Sequence, residues 1–189
     1  MNQFNLAYSI ATENHGILTA AEARRNGIAS KTLARWVRIG RFVKCGNGVY
    51  RATQYPFSEE DQYAIAVAQC GKEAYLCGES VLGLLRLMPV NVDRISIRAP
   101  RYLRRRLPSG YVTSVGKADY SPMNINGILC QKPEDSIREC LGTHMAEHLL
   151  EAAQKAYNMG FVDEAGLKRL QKEIADPEKL TLPRCETSA

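Results

Sequence analysis

The sequence predicts an α+β protein: three short helices closed by a basic β-hairpin over residues 1–55, followed by a larger α+β unit over 56–176. Three observations carry this. Apolar residues make up 45% of the 189 residues, enough for a packed core. Helical spacing alternates with Gly-containing stops up to Gly40, and an Asn-Gly turn between two strand-like runs follows at Asn47-Gly48. The charge is also lopsided. Residues 1–55 hold eight Lys/Arg (Arg24, Arg25, Lys31, Arg35, Arg38, Arg41, Lys44, Arg51) against two acids (Glu13, Glu22), a net of +6, while the other 134 residues hold 17 basic and 18 acidic groups, a net of −1.

Phe4, Ala7, Tyr8 and Ala11 recur at helical spacing, so a first helix is expected from Gln3 to Glu13, ended by His15-Gly16. Ile17-Leu18 is a short apolar stretch leading to Thr19-Ala20-Ala21-Glu22. That run fits a capping box, in which the Thr19 hydroxyl accepts from a first-turn amide and Glu22 returns the bond. The second helix, Ala20 to about Arg25, stops at Asn26-Gly27. Ser30 is expected to cap a third helix that runs to Ile39 and stops at Gly40.

At ~100° per residue, Lys31, Arg35 and Arg38 share one side of that third helix and Leu33, Trp36 and Val37 the other. A cationic stripe opposite a core stripe is what a helix in a major groove needs, although a solvated surface helix has the same pattern. The runs Arg41-Phe42-Val43-Lys44 and Val49-Tyr50-Arg51, joined by Cys45-Gly46-Asn47-Gly48, tip the balance. A basic hairpin directly after such a helix is a wing, and the order of elements is that of a winged helix-turn-helix. Lys31, Thr32 and Arg35 are then expected at base edges, and Arg38, Arg41, Lys44 and Asn47 at phosphates or the minor groove.

Gly16-Ile17-Leu18-Thr19 through Gly27-Ile28, then Leu33-Ala34-Arg35-Trp36-Val37-Arg38-Ile39-Gly40-Arg41, closing on Gly48-Val49-Tyr50-Arg51, resembles the N-terminal domain of AbiEi-type antitoxins. These belong to abortive-infection (type IV) toxin–antitoxin systems. The resemblance continues more loosely to about residue 150, through Ser80-Val81-Leu82-Gly83-Leu84-Leu85, Arg94 to Ala99, Gly127-Ile128-Leu129 and Pro133-Glu134-Asp135-Ser136. It implies an autorepressor that binds inverted repeats in its own promoter as double-stranded DNA, with dimerisation on that DNA, and a nucleotidyltransferase toxin as functional partner.

Beyond residue 55, Tyr55-Pro56-Phe57-Ser58 reads as a linker. Helices are expected near 59–70, 79–87, 134–157 and 163–175, and strands at Arg94–Ala99, Tyr111–Val115 and Ile125–Gln131, with a frayed tail over 177–189. Arg94, Arg98, Arg101, Arg104, Arg105 and Arg106 fall within thirteen residues. Alternation of Arg94, Ser96 and Arg98 with Ile95 and Ile97 predicts a strand with a solvent-facing cationic side. Arg98, Arg101, Arg104, Arg105 and Arg106 are therefore a candidate second basic contact, against the plainer reading of a charged strand edge.

His144-Met145-Ala146-Glu147-His148 matches the H-x-x-E-H spacing of some zinc peptidases, and Cys140, His144 and His148 fall at i, i+4, i+8. Such peptidases need a further distant ligand, and no His follows His148. The expectation is no metal, no cofactor, no catalytic residue and no enzyme. No Gly-rich phosphate loop or nucleophile elbow occurs. The six scattered cysteines form no C-x-x-C pair and read as small buried hydrophobes. No run approaches the ~18 apolar residues of a membrane span, and Met1 to Asn14 does not look like a signal peptide. A cytoplasmic protein without membrane contact is expected. Two other function classes remain open on the residues alone: an RNA- or ribosome-associated binding protein, and a metal-dependent enzyme using Cys140, His144 and His148.

Overall fold

Asn2 opens the first helix by accepting from the Phe4 amide at 3.1 Å, and α1 spans Gln3–Thr12 with Ala7 and Ala11 buried. The computed structural model describes residues 2–91, 93–104, 106–116 and 122–176, and the tail expected over 177–189 lies outside the described residues. The chain is α+β and divides into two compact units: Met1–Lys72 with Asn126–Ile128, and Glu73–Ile125 with Leu129–Ala189.

In the first unit the chain reverses after α1 through His15 and Gly16, at φ 53° and 73°. Glycine is required at the second of these, because a Cβ there would stand 2.7 Å from the Tyr55 ring. The stretch expected only to lead into the next helix is a strand, β1 (Ile17–Thr19). Thr19 and Glu22 then form the expected capping box at the start of α2 (Ala20–Arg25). Helix α3 spans Ser30–Arg38. Its N-cap is Ala29, with no side-chain bond, so Ser30 is the first helical residue and not the expected cap. β2 (Phe42–Gly46) and β3 (Val49–Ala52) form the hairpin, and β1 adds to it antiparallel, with Ile17 opposite Arg51 and Thr19 opposite Val49.

The core of this unit is aromatic. Trp36 stacks on Phe42 with ring centroids 5.9 Å apart, and Phe4 meets both rings edge-on at 5.7 and 6.2 Å. Leu18, Ala23, Ile28 and Leu33 fill the space around them. Each helix and the sheet thus contributes to one core, which fixes α3 against the hairpin.

α4 (Asp61–Cys70) belongs to this same unit, so its edge falls at Lys72, beyond the boundary expected at residue 55. The reason is an ion pair. Arg51 Nε and Nη2 donate to Asp61 Oδ2 at 2.9 and 2.7 Å, and Nη2 also reaches the Tyr55 and Pro56 carbonyls. Ser58 donates to Asp61 through its amide and its hydroxyl. The expected linker is therefore bound down by the residues on either side of it.

The second unit contains β4 (Tyr75–Leu76), α5 (Glu79–Leu84), β5 (Ile95–Ala99), β6 (Tyr111–Val115), β7 (Met123–Ile125) and β8 (Ile128–Cys130) except for Ile128, which groups with the first unit. The sheet order is β6-β5-β4-β8-β7, so β5 is an inner strand. The single strand expected at Ile125–Gln131 is the β7–β8 turn and its second arm: Asn126 and Gly127 both take positive φ, 51° and 87°, as a two-residue hairpin turn requires. The long helix expected over 134–157 is two helices, α6 (Pro133–Glu139) and α7 (Ala146–Asn158), parted at Gly142 with φ 76°. α8 (Glu164–Ala175) packs on α6 and α7, and the Asp163 side chain caps it by accepting from the Gly166 amide. Arg138 ties the bundle, donating to Glu173 at 2.7 Å, to Asp135 at 3.0 Å and to Glu134. Among the described residues no helix is long and apolar enough to cross a membrane.

Candidate nucleic-acid interface

The i, i+4, i+7 spacing of Lys31, Arg35 and Arg38 sets them on the outer side of α3, and all three are exposed. On the inner side Leu33 and Trp36 are 1% and 2% exposed. Thr32 is half-buried beside Lys31. No acid lies in the first turn of α3, so nothing there offsets the partial positive charge of the helix start. Among the described residues none of Lys31, Arg35, Arg38 and Lys44 forms an ion pair with a carboxylate. Other arginines of the chain are paired with acids: Arg51 with Asp61, Arg98 with Glu139 and Arg138 with Glu134. A row of uncompensated cations on a rigid helix is suited to a polyanion.

The hairpin extends this surface. Its tip is Asn47-Gly48, where Gly48 takes φ 74° and Asn47 does not, and the register shifts by one residue between Lys44 and Gly46. The turn is thus a bulged one, with only the glycine left-handed, rather than the two-residue type in which both residues need positive φ. Lys44 and Asn47 are exposed. Arg41 is exposed as well, but its guanidinium lies 4.3 Å from the centre of the Phe4 ring, so it also clamps α1 to the start of β2.

Two arginines depart from expectation. Arg51, counted among the cations of the basic hairpin, is half-buried and paired with Asp61. Arg98, expected on a solvent-facing side of its strand, is 7% exposed and donates to Glu139 at 2.7 Å and to Ser114 at 3.4 Å. Period-two alternation predicts exposure only where one side of a sheet meets water, and here an inner strand is covered on both sides. Arg101, Arg104 and Arg106 are exposed, and Arg105 lies outside the described residues.

Cys140, His144 and His148 do not share a helix. Cys140 closes α6, His144 sits in the connecting loop 3.4 Å from Glu79, and His148 is exposed on α7. Burial pushes the Cys140 thiol up to about 12, with Glu139 and Glu79 adding to it, and burial alone does the same for Cys130. Both thiols keep their protons in the folded protein and lose them more readily once unfolded. Their contribution to stability is whole below about pH 9 and declines towards about pH 12, by up to about 1.4 kcal/mol per pH unit for each cysteine. Urea unfolding at rising alkaline pH is expected to show a steeper loss for the native chain than for a Cys130→Ala/Cys140→Ala variant. Equal slopes would remove the two thiols as the cause.

Residues 7–53 match the family described as transcriptional regulator, AbiEi antitoxin. The match runs from within α1 through β3, and so takes in α3, the wing and the aromatic core. The chain resembles AbiEi-type antitoxins over this segment. The looser likeness from Ser80 to Ser136 lies beyond the matched residues. No curated protein matches the chain.

Proposed function

We propose that the protein is a sequence-specific DNA-binding autorepressor and the antitoxin of a type IV abortive-infection system. The observation that carries this reading is the uncompensated cationic side of α3, held by a buried inner side, within a segment that matches a transcriptional-regulator family. The first unit acts as a winged helix-turn-helix. Lys31, Thr32 and Arg35 read base edges in the major groove, while Arg38, Arg41, Lys44 and Asn47 hold phosphates or the adjoining minor groove. Inverted repeats in the chain's own promoter, bound by two copies, are the target. Arg101, Arg104 and Arg106 add a second contact to the DNA backbone, from which Arg98 is withdrawn because it is buried and paired. The second unit carries the control of a nucleotidyltransferase toxin, works in the cytoplasm and performs no catalysis of its own.

The two roles separate in one experiment on the full-length chain. In cells carrying the adjacent toxin, a Lys31→Ala/Arg35→Ala variant is expected to lose repression of a promoter reporter and still restore growth. Loss of both together, with the variant folded, would mean that toxin control runs through transcription alone.

A further inference from the structure

The wing is held from behind at two heights. At its base, Arg51 on β3 is bound to Asp61, which is 0% exposed at the start of α4. Near its tip, Gln69, in the last turn of α4 and 3% exposed, donates from Nε2 to the Cys45 carbonyl at 2.8 Å. Gly46 makes the second contact feasible, since a Cβ there would stand 2.4 Å from Gln69 Cδ. Between these points α4 lies along β1 and β3. β2 is the edge strand of the three-stranded sheet, so its far end at Cys45–Gly46 is paired on one side only, with β3, and gains its second hold from α4.

We infer that α4 is a strut that sets the position of the wing, with Gln69 as the positioning residue for the tip. The inference rests on the DNA-binding reading for its consequence, though not for the strut itself. Gln69 touches no DNA. It fixes the carbonyl of the residue that follows Lys44, and so fixes the direction in which Lys44 and Asn47 are offered. Removing the amide frees the tip while leaving the core, α3 and the Arg51–Asp61 pair in place.

Two full-length variants approach the contact from its two sides: Gln69→Ala removes the donor, and Gly46→Ala displaces it. In the absence of DNA, amide hydrogen exchange over Cys45–Gly48 is expected to accelerate roughly tenfold or more in each, with the amides of α3 unchanged. The DNA readout uses a duplex selected by the wild-type protein from a randomised pool. Gln69→Ala is expected to lower the salt slope of binding by about one, as Lys44→Ala does, and the double variant to lower it no further. A role in stability alone would shift the melting temperature and leave that slope intact. Unchanged exchange at the tip in both variants would overturn the strut. Faster exchange with a full wild-type salt slope would overturn its part in binding. A wild-type protein that selects no duplex would overturn the DNA reading, with the exchange result still deciding the strut.

Discussion

Trp36→Ala is expected to unfold the first unit. The side chain is 2% exposed, stacks on Phe42 at 5.9 Å and takes the edge of Phe4 at 5.7 Å, so its removal opens the centre of the aromatic core. Deleting a buried aromatic costs about 3–5 kcal/mol, a large part of the stability of a unit this size. The loss also spreads. The indole touches Phe4 of α1 and Phe42 at the start of β2, so α1 and the start of the wing lose the ring that joins them. Urea unfolding followed by circular dichroism measures it. Arg35→Ala, one residue earlier but exposed, is the control and is expected within about 0.5 kcal/mol of wild type. A Trp36 variant as stable as the Arg35 variant would contradict the core described here.

Local signals carried much of the first unit. The Thr19–Glu22 capping box, the stop at Gly27 and the two sides of α3 are all short-range patterns, set by groups three or four residues apart. The Asn47-Gly48 tip was equally readable, although its geometry is a bulged turn. Local pattern misleads where the partner is distant in sequence. Arg51 and Asp61 are ten residues apart, and Arg98 and Glu139 forty-one, so nothing beside either arginine marks it as paired. In both cases a basic residue in a strand pattern has the local signature of a surface cation. Gln69 carries no local signal at all, because its role depends on where the hairpin tip arrives.

The helical half of the second unit shows a related limit. Apolar spacing continues across residues 139–146, so periodicity alone predicts one helix, whereas Gly142 takes the left-handed conformation and breaks it. With that break the aligned Cys140, His144 and His148 disappear as a set. The Asn126-Gly127 turn escapes local pattern for the opposite reason. It joins two three-residue strands, too short to show alternation, and the surrounding run reads as one apolar strand.

The cationic side of α3 is the centre of the functional reading, and a binding measurement on the full-length chain tests it most directly. The wild-type protein is titrated against duplex DNA from its own upstream region, with unrelated duplex and structured RNA as competitors, beside the Lys31→Ala/Arg35→Ala variant. Both side chains are exposed on the side away from Leu33 and Trp36, so the variant is expected to keep its circular dichroism and melting temperature. Each good base contact is worth about 1–3 kcal/mol, so losing two should bring binding down to the level of unrelated duplex. The predicted result is a folded variant without preference for the upstream DNA, and a wild-type complex that structured RNA fails to displace. A folded variant that binds the upstream duplex as tightly and selectively as wild type, or a wild-type chain that prefers the RNA, would contradict the assignment of α3 as the DNA-reading helix.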